Sequence, residues 1–142
     1  MNIDAIQNGI VIDHITAGRG MRIYELLHLD RLDASVAIIK NAVSHRSGGK
    51  KDIIKIDSDI AIDFDVLGFV DPGVTVNIIR EGKLVEKRRI DMPKMLKNVI
   101  CCKNPRCITS VERSIDHIFR LTGAREKVYR CIYCDAVFKE SL

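Results

Sequence analysis

Cys102-Lys103-Asn104-Pro105-Arg106-Cys107 is a stretch of turn-forming residues closed at each end by a thiol, and Cys131-Ile132-Tyr133-Cys134 is a second one further along the chain. A tetrahedral metal needs four ligands converging from two directions, and two such knuckles facing each other across a domain-sized insert provide them. The spacing therefore predicts a four-cysteine zinc site made by Cys102, Cys107, Cys131 and Cys134. Four thiolates leave no open position for water or substrate, so the expected role is structural. Two disulfides or a redox CxxC are the alternatives. No thioredoxin-like strand–helix–strand pattern surrounds Cys131, which argues against the redox alternative. A fifth cysteine, Cys101, continues the apolar run Val99-Ile100-Cys101 and is expected in a buried strand.

The metal segment sits in an otherwise ordinary globular composition. The chain has 142 residues, 46% hydrophobic and 30% charged, with a net charge of +4. The charge is uneven. Residues 92–142 hold ten Lys and Arg against five Asp and Glu, whereas residues 1–91 hold thirteen against fourteen. The basic excess belongs to the cysteine segment and permits a nucleic-acid module or an acidic partner as well as a solvated surface. Aromatic residues make up only 5%, with no Trp, which disfavours a platform for stacking bases. No apolar run is long enough to span a bilayer, and Asp4, Gln7, Asn8, Asp13 and His14 break every candidate export segment. With its thiols unprotected, the chain is expected in the cytoplasm.

Upstream of the cysteines the pattern alternates between strands and short helices. Gly9-Ile10-Val11-Ile12-Asp13-His14-Ile15 reads as a strand, and residues 21–29 carry apolar side chains at helical spacing. Residues 35–39 form a second strand, 45–51 a turn or mobile loop and 52–56 a third strand. A short helix over residues 63–69 ends at Asp71-Pro72-Gly73. Residues 74–79 and 83–87 then make a hairpin around Arg80-Glu81-Gly82. The order β-α-β-β-α-β-β is the split βαβ pattern plus one strand. The fold class is thus α+β: a ferredoxin-like antiparallel sheet with two helices on one face, then a small β-rich zinc domain held by four cysteines. Pro93 is the only proline between the sheet and the cysteines, which puts the boundary between a domain of residues 1–91 and one of 92–142. Each is small enough to need help, the first from a second copy and the second from its metal.

Several polar residues do not fit a pure scaffold. Asp13 and His14 end an apolar strand, Lys55 lies among isoleucines, and Asn77 interrupts Val76-Asn77-Ile78. In a strand Lys55 lies opposite Ile54 and Ile56, so taken alone it simply points to solvent. Together with Lys87, these residues put two ammoniums, an imidazole and a carboxylate on one sheet. That set suits an anionic, ribose-bearing ligand. No GxxxxGK[ST] or GxGxxG is present, which excludes the usual nucleotide-hydrolysing and dinucleotide sites. No nucleophile–base pair is visible either, so an enzyme is the least favoured class.

These stretches, read in order, resemble the regulatory chain of aspartate carbamoyltransferase over essentially the whole length. The carrying segments are Ala5-Ile6, Gly9 to Ile15, Lys51-Asp52-Ile53-Ile54-Lys55-Ile56, Ala61 to Pro72 more loosely, Thr75-Val76-Asn77, Asn98-Val99-Ile100, and the four cysteines. The resemblance implies a noncatalytic subunit whose first domain binds CTP or competing ATP and pairs with a second regulatory chain. Its zinc domain would dock on a catalytic chain, so that regulatory dimers hold catalytic trimers together. It also implies site residues. Ala5, Ile6 and Val11 would line the base pocket, Asp13 and Lys55 would contact ribose and base, and His14 and Lys87 would meet the triphosphate. Asn77, Ile79 and Leu84 would complete the wall, and Lys51 would help hold a second nucleotide, UTP. Asn104 and Asp135 would contact the catalytic chain. A zinc-ribbon nucleic-acid module is the alternative from a different class.

Overall fold

The computed structural model describes residues 6–46 and 48–139. The chain divides into two compact units, Met1–Asp91 and Met92–Leu142. The fold class is mixed α+β with antiparallel sheets, as the patterning implies.

In the first unit, β1 (Gly9–Thr16), β2 (Val36–Val43), β3 (Lys50–Ile56), β4 (Thr75–Arg80) and β5 (Lys83–Arg89) form one sheet in the order β2-β3-β1-β4-β5. All its pairings are antiparallel. The helices α1 (Gly20–Leu26) and α2 (Phe64–Val70) make the two crossovers. Alternation sorts the side chains. Ile10 and Ile12 of β1, Ile54 and Ile56 of β3 and Val76 of β4 share a face and are buried, together with Ile23 of α1 and Val66, Leu67, Phe69 and Val70 of α2. Val11, Lys55 and Asn77 occupy the opposite, open face.

Local chemistry explains the boundaries. α2 starts where the Asp63 carboxylate accepts the Asp65 N–H at 3.0 Å, a normal N-cap. α1 is shorter than the periodicity of residues 21–29 suggests, because His28 adopts a left-handed φ of 55° and a 3-10 turn, Leu29–Arg31, follows. β2 runs further than residues 35–39, to Val43, through a bulge at left-handed Asn41. The β4–β5 turn places Glu81 and Gly82 at positive φ, which Gly82 adopts without strain.

The second unit carries β6 (Met95–Lys97), β7 (Ile118–Gly123), β8 (Val128–Cys131) and β9 (Val137–Lys139) in the order β6-β7-β8-β9, with one helical turn, α3 (Ile108–Val111). Its core is small: Leu96, Ile100, Phe119, Tyr129 and three of the cysteines. The Tyr129 hydroxyl donates to the Pro93 carbonyl at 2.7 Å, which satisfies its one buried polar group. The reading of Val99-Ile100-Cys101 as strand is corrected here. β6 ends at Lys97 because Asn98 turns left-handed, at φ 58°, and exchanges hydrogen bonds with His117. Ile100 is buried, but Cys101 is exposed.

Candidate functional sites

Two places carry chemistry. In the second unit Cys102, Cys107, Cys131 and Cys134 converge, their sulfurs all within 4.8 Å of one another. Cys102 Sγ lies 3.6 Å from Cys134 Sγ, and Cys107 Sγ lies 3.7 Å from Cys131 Sγ. Four sulfurs at about 2.3 Å from a central ion would stand about 3.8 Å apart in a tetrahedron. The separations match that edge and are far too long for S–S bonds, which would be about 2.05 Å. The donor set therefore fits a soft divalent metal such as zinc, held by all four cysteines with no open position. Such an ion would supply a fixed, charge-neutralising anchor for both knuckles.

The surroundings match that role. Backbone N–H groups of Asn104, Thr109, Tyr133, Cys134 and Ala136 point at the four sulfurs. The Thr109 hydroxyl donates to Cys107 Sγ at 3.1 Å. Burial pushes the Cys102 thiol up to about 12 and raises that of Cys131. Hydrogen bonds from the Asn104 side chain and the Ala136 N–H bring Cys134 down to about 6, and the Thr109 hydroxyl lowers Cys107. Two thiols are thus ready to ionise and two resist, which is how four crowded sulfurs behave until a cation sits among them.

Asn104 is bound into this knuckle. Its Oδ1 accepts the Arg106 N–H at 3.1 Å, and its carbonyl accepts the Ser110 hydroxyl at 2.7 Å and the Cys107 N–H at 3.0 Å. Asp135 has a left-handed φ of 65° and is exposed, 3.2 Å from Arg120 and 3.8 Å from Arg130.

The other place is the open face of the first sheet. Cross-strand register aligns Ala37, Lys55, Val11, Asn77 and Lys87 as one row across all five strands. The isolated polar residues at 55, 77 and 87 therefore share one row on the side away from the buried isoleucines, with Asn77 paired to Lys87 and separated from Lys55 by Val11. One step along, Asp13 pairs with Thr75. One step the other way, Gly9 pairs with Ile79, which pairs with Leu84. Ile6 lies beside Gly9, and the Gln7 carbonyl accepts the Gly82 N–H at 2.9 Å. Ala5 lies outside the described residues.

Asn77 carries a buried side-chain oxygen, Oδ1, with no hydrogen-bond partner, the only such side-chain atom among the described residues. An acceptor desolvated without a partner is unfavourable by about 1–3 kcal/mol.

The far end of the face is cationic. β1 gains one residue over β3 between Ile12 and Ile15, a bulge that turns His14 to a left-handed φ of 59°. His14 Nδ1 meets Thr75 Oγ1 at 2.9 Å, and Lys51 Nζ meets Asp13 Oδ1 at 2.9 Å. Burial lowers the pKa of His14, and Arg46, Lys51 and Lys87 depress it further against the opposing Asp13. Burial works against Asp13 ionising, but the hydrogen bonds from Lys51 and the His14 N–H outweigh it and hold its carboxyl below the usual range. A cavity of about 250 Å³ lies here, lined by His14, Thr16, Ser44, Arg46, Lys50 and Lys51 among others. Arg46, Lys50 and Thr75 do not stand out in the sequence. The two cations look like ordinary loop charge, and Thr75 like a strand residue. Tertiary pairing brings them to His14: Thr75 pairs with Asp13 across β1 and β4, and Arg46 donates to the Gly73 carbonyl at 2.9 Å.

Comparison with known proteins supplies the family. Residues 1–91 match the family described as aspartate carbamoyltransferase regulatory chain, allosteric domain, and residues 94–141 match the metal binding domain of the same chain. The chain belongs to the aspartate carbamoyltransferase regulatory-chain family. It is 49% identical to the regulatory chain of Clostridium tetani over 140 residues, 98% of this chain and 96% of that one. It is 49% identical to that of Clostridium botulinum strain Hall over 138 residues, 97% and 94% of the two chains. With that of Bifidobacterium longum the identity is 47% over 135 residues, 95% and 96%. As a member of a family of regulatory chains, this protein is a noncatalytic subunit. The four-cysteine cluster lies in the matched metal binding domain, and the open-faced sheet in the matched allosteric domain. Among the described residues no helix is long and apolar enough to cross a membrane.

Proposed function

We propose that this chain is the effector-binding subunit of a cytoplasmic aspartate carbamoyltransferase in pyrimidine biosynthesis. It binds CTP, or ATP in competition, on the open face of its first sheet, and it bridges catalytic trimers through its second unit. The observation that carries this reading is the unpartnered Asn77 Oδ1 in the row between Lys55 and Lys87. A buried acceptor left open in one row with two lysines suits a ligand with N–H or O–H donors and negative charge. The face also has the right length. Gly9 to Asp13 spans roughly 13 Å of strand, about the reach of a nucleoside triphosphate. On this reading Ala5, Ile6, Val11, Ile79 and Leu84 flank the base, and Asp13, Lys55 and Asn77 address base and ribose. His14 and Lys87 take the phosphates. Lys51, on the cavity beside His14, would serve a second nucleotide, UTP.

The metal is zinc, one per chain, and its role is structural. It fixes the backbone of the two knuckles. Exposed apolar side chains surround them: Ile108 and Val111 after Cys107, and Ile132 and Tyr133 between Cys131 and Cys134. Exposed apolar side chains on a rigid knuckle suit a docking surface, and on this reading the partner is a catalytic chain, with Asn104 and Asp135 at the contact. The nucleic-acid alternative is weaker. Lys97, Arg120 and Arg130 are occupied by Asp116 and Asp135, so part of the basic excess is neutralised within the unit.

The two edges of the first sheet differ. β5 carries Lys83, Glu86, Lys87, Arg88 and Arg89, charges that guard an edge against pairing, whereas β2 carries Val36, Ala37, Ile38 and Ile39 with Lys40 as its one charge. The homodimer therefore forms through β2.

Calorimetric titration of CTP into the intact chain tests the effector site. Lys55→Ala and Lys87→Ala each remove a charge-assisted contact and should weaken binding by about 1–3 kcal/mol. Unchanged affinity in both would remove the assignment.

A further inference from the structure

We infer that Asp52, buried beneath the open face, is the positioning residue for the phosphate end of the effector site. The inference rests on the reading that this face takes a nucleoside triphosphate.

Asp52 lies on β3 next to Lys51, and it is fully buried. Each of its oxygens is committed to backbone. Oδ2 accepts the N–H of Gly18 at 3.1 Å and that of Gly20 at 3.0 Å, and Oδ1 accepts the N–H of Asn41 at 3.1 Å. Those three amides belong to three different segments: the loop leaving β1, the first residue of α1, and the bulge of β2. The residue before α1, Arg19, provides no side-chain cap, so Asp52 fills that role from another strand. β1 bulges at His14 and β2 bulges at Asn41, both against β3 around Asp52. One carboxylate thus ties down both strands beside β3 where each departs from regular pairing.

The consequence reaches the ligand face through the backbone. The β1 bulge turns His14 toward Thr75, and the adjacent Lys51 holds Asp13. If the loop after β1 slackens, these groups lose their common frame, while Val11 and Asn77 in regular pairing keep theirs. A carboxylate is required because both oxygens must accept. An amide of the same size accepts on one atom and turns N–H groups against backbone N–H on the other. Space is equally tight. A Cβ on Gly20 would stand 2.9 Å from Asp52 Oδ2 and 3.1 Å from its Cβ.

Asp52→Asn and Gly20→Ala disturb the same contact by different routes and leave every proposed ligand-binding side chain in place. The full chain is titrated with CTP and with CMP, and the ratio of the two affinities measures what the outer phosphates contribute. Both variants should lose CTP affinity by about tenfold or more, with CMP affinity kept within about twofold. A purely structural role would lower both ligands together and leave the ratio unchanged, which would overturn the inference, as would wild-type CTP affinity in either folded variant. If Asp52→Asn does not fold, Gly20→Ala alone decides. If the wild-type chain binds no CTP at all, the parent reading fails first and this one with it.

Discussion

Replacing Asn77 by Leu should stabilise the free chain and weaken nucleotide binding at once. Leu has the same number of side-chain heavy atoms and the same branching, so it fills the space that Asn77 leaves. In the unliganded chain the change removes a buried acceptor without a partner, a gain of about 1–3 kcal/mol. For a unit of this size each kcal/mol moves the melting midpoint by about 4–8 °C. In the complex the same change leaves a ligand donor unmatched, which costs about 1 kcal/mol or more, so CTP affinity should fall by about fivefold or more. Scanning calorimetry without ligand and titration calorimetry with CTP read the two effects on one protein. The opposite signs are the diagnostic feature, because a residue that merely packs would lose stability and affinity together. A lowered midpoint, or wild-type CTP affinity, would refute the argument that Asn77 is held open for a ligand.

Other expectations concern pH, metal, dimer and docking. His14 is held below its ordinary pKa in the free chain, and a bound triphosphate would raise it, so binding takes up a proton and CTP affinity should rise as pH falls from about 8 towards 6. His14→Gln should flatten that profile, and its persistence would move the proton elsewhere. By the same linkage the depressed pKa adds folding stability above the ordinary histidine value, lost as pH falls through the folded one. Mercurial capping of the cysteines should eject zinc and unfold the second unit, whose metal supplies about 10–16 kcal/mol in comparable small sites. Gel filtration should then find active catalytic trimers that ignore CTP, and an intact complex without metal would contradict this. Ile39→Glu on β2 should give monomers by sedimentation, whereas Val85→Glu on β5 should not; the reverse result would exchange the edges. Asn104→Ala should weaken assembly with the catalytic chain while CTP binding by the isolated chain persists, and equal loss of both would make it a folding defect.

The cysteines and the strand order were legible because each rests on local signals. CxxxxC and CxxC carry their geometry in their spacing, and runs such as Ile53-Ile54-Lys55-Ile56 announce strands whose isoleucines share a face. Parity alone places Lys55 opposite the core but cannot say that Asn77 and Lys87 stand in the same row, since that depends on register between strands distant in sequence. The bulges are invisible for the same reason. Asp52 of β3 accepts the N–H of left-handed Asn41 and those of Gly18 and Gly20 after the His14 bulge, and a carboxylate that caps a helix from another strand leaves no mark in the helix's own sequence. Cys101 misleads because hydrophobic continuity with Val99 and Ile100 suggests a strand. The left-handed turn at Asn98 ends β6 earlier and leaves Cys101 exposed.

The most direct test of the central claim is a reconstitution. Catalytic trimers of the aspartate carbamoyltransferase from the same cell are assayed for carbamoyl aspartate formation, with and without this chain, as CTP is titrated. The trimers alone should be active and indifferent to CTP, this chain alone should be inactive, and the zinc-loaded mixture should form a larger complex whose rate responds to CTP. No complex, or a complex whose rate is blind to nucleotide, would contradict the account.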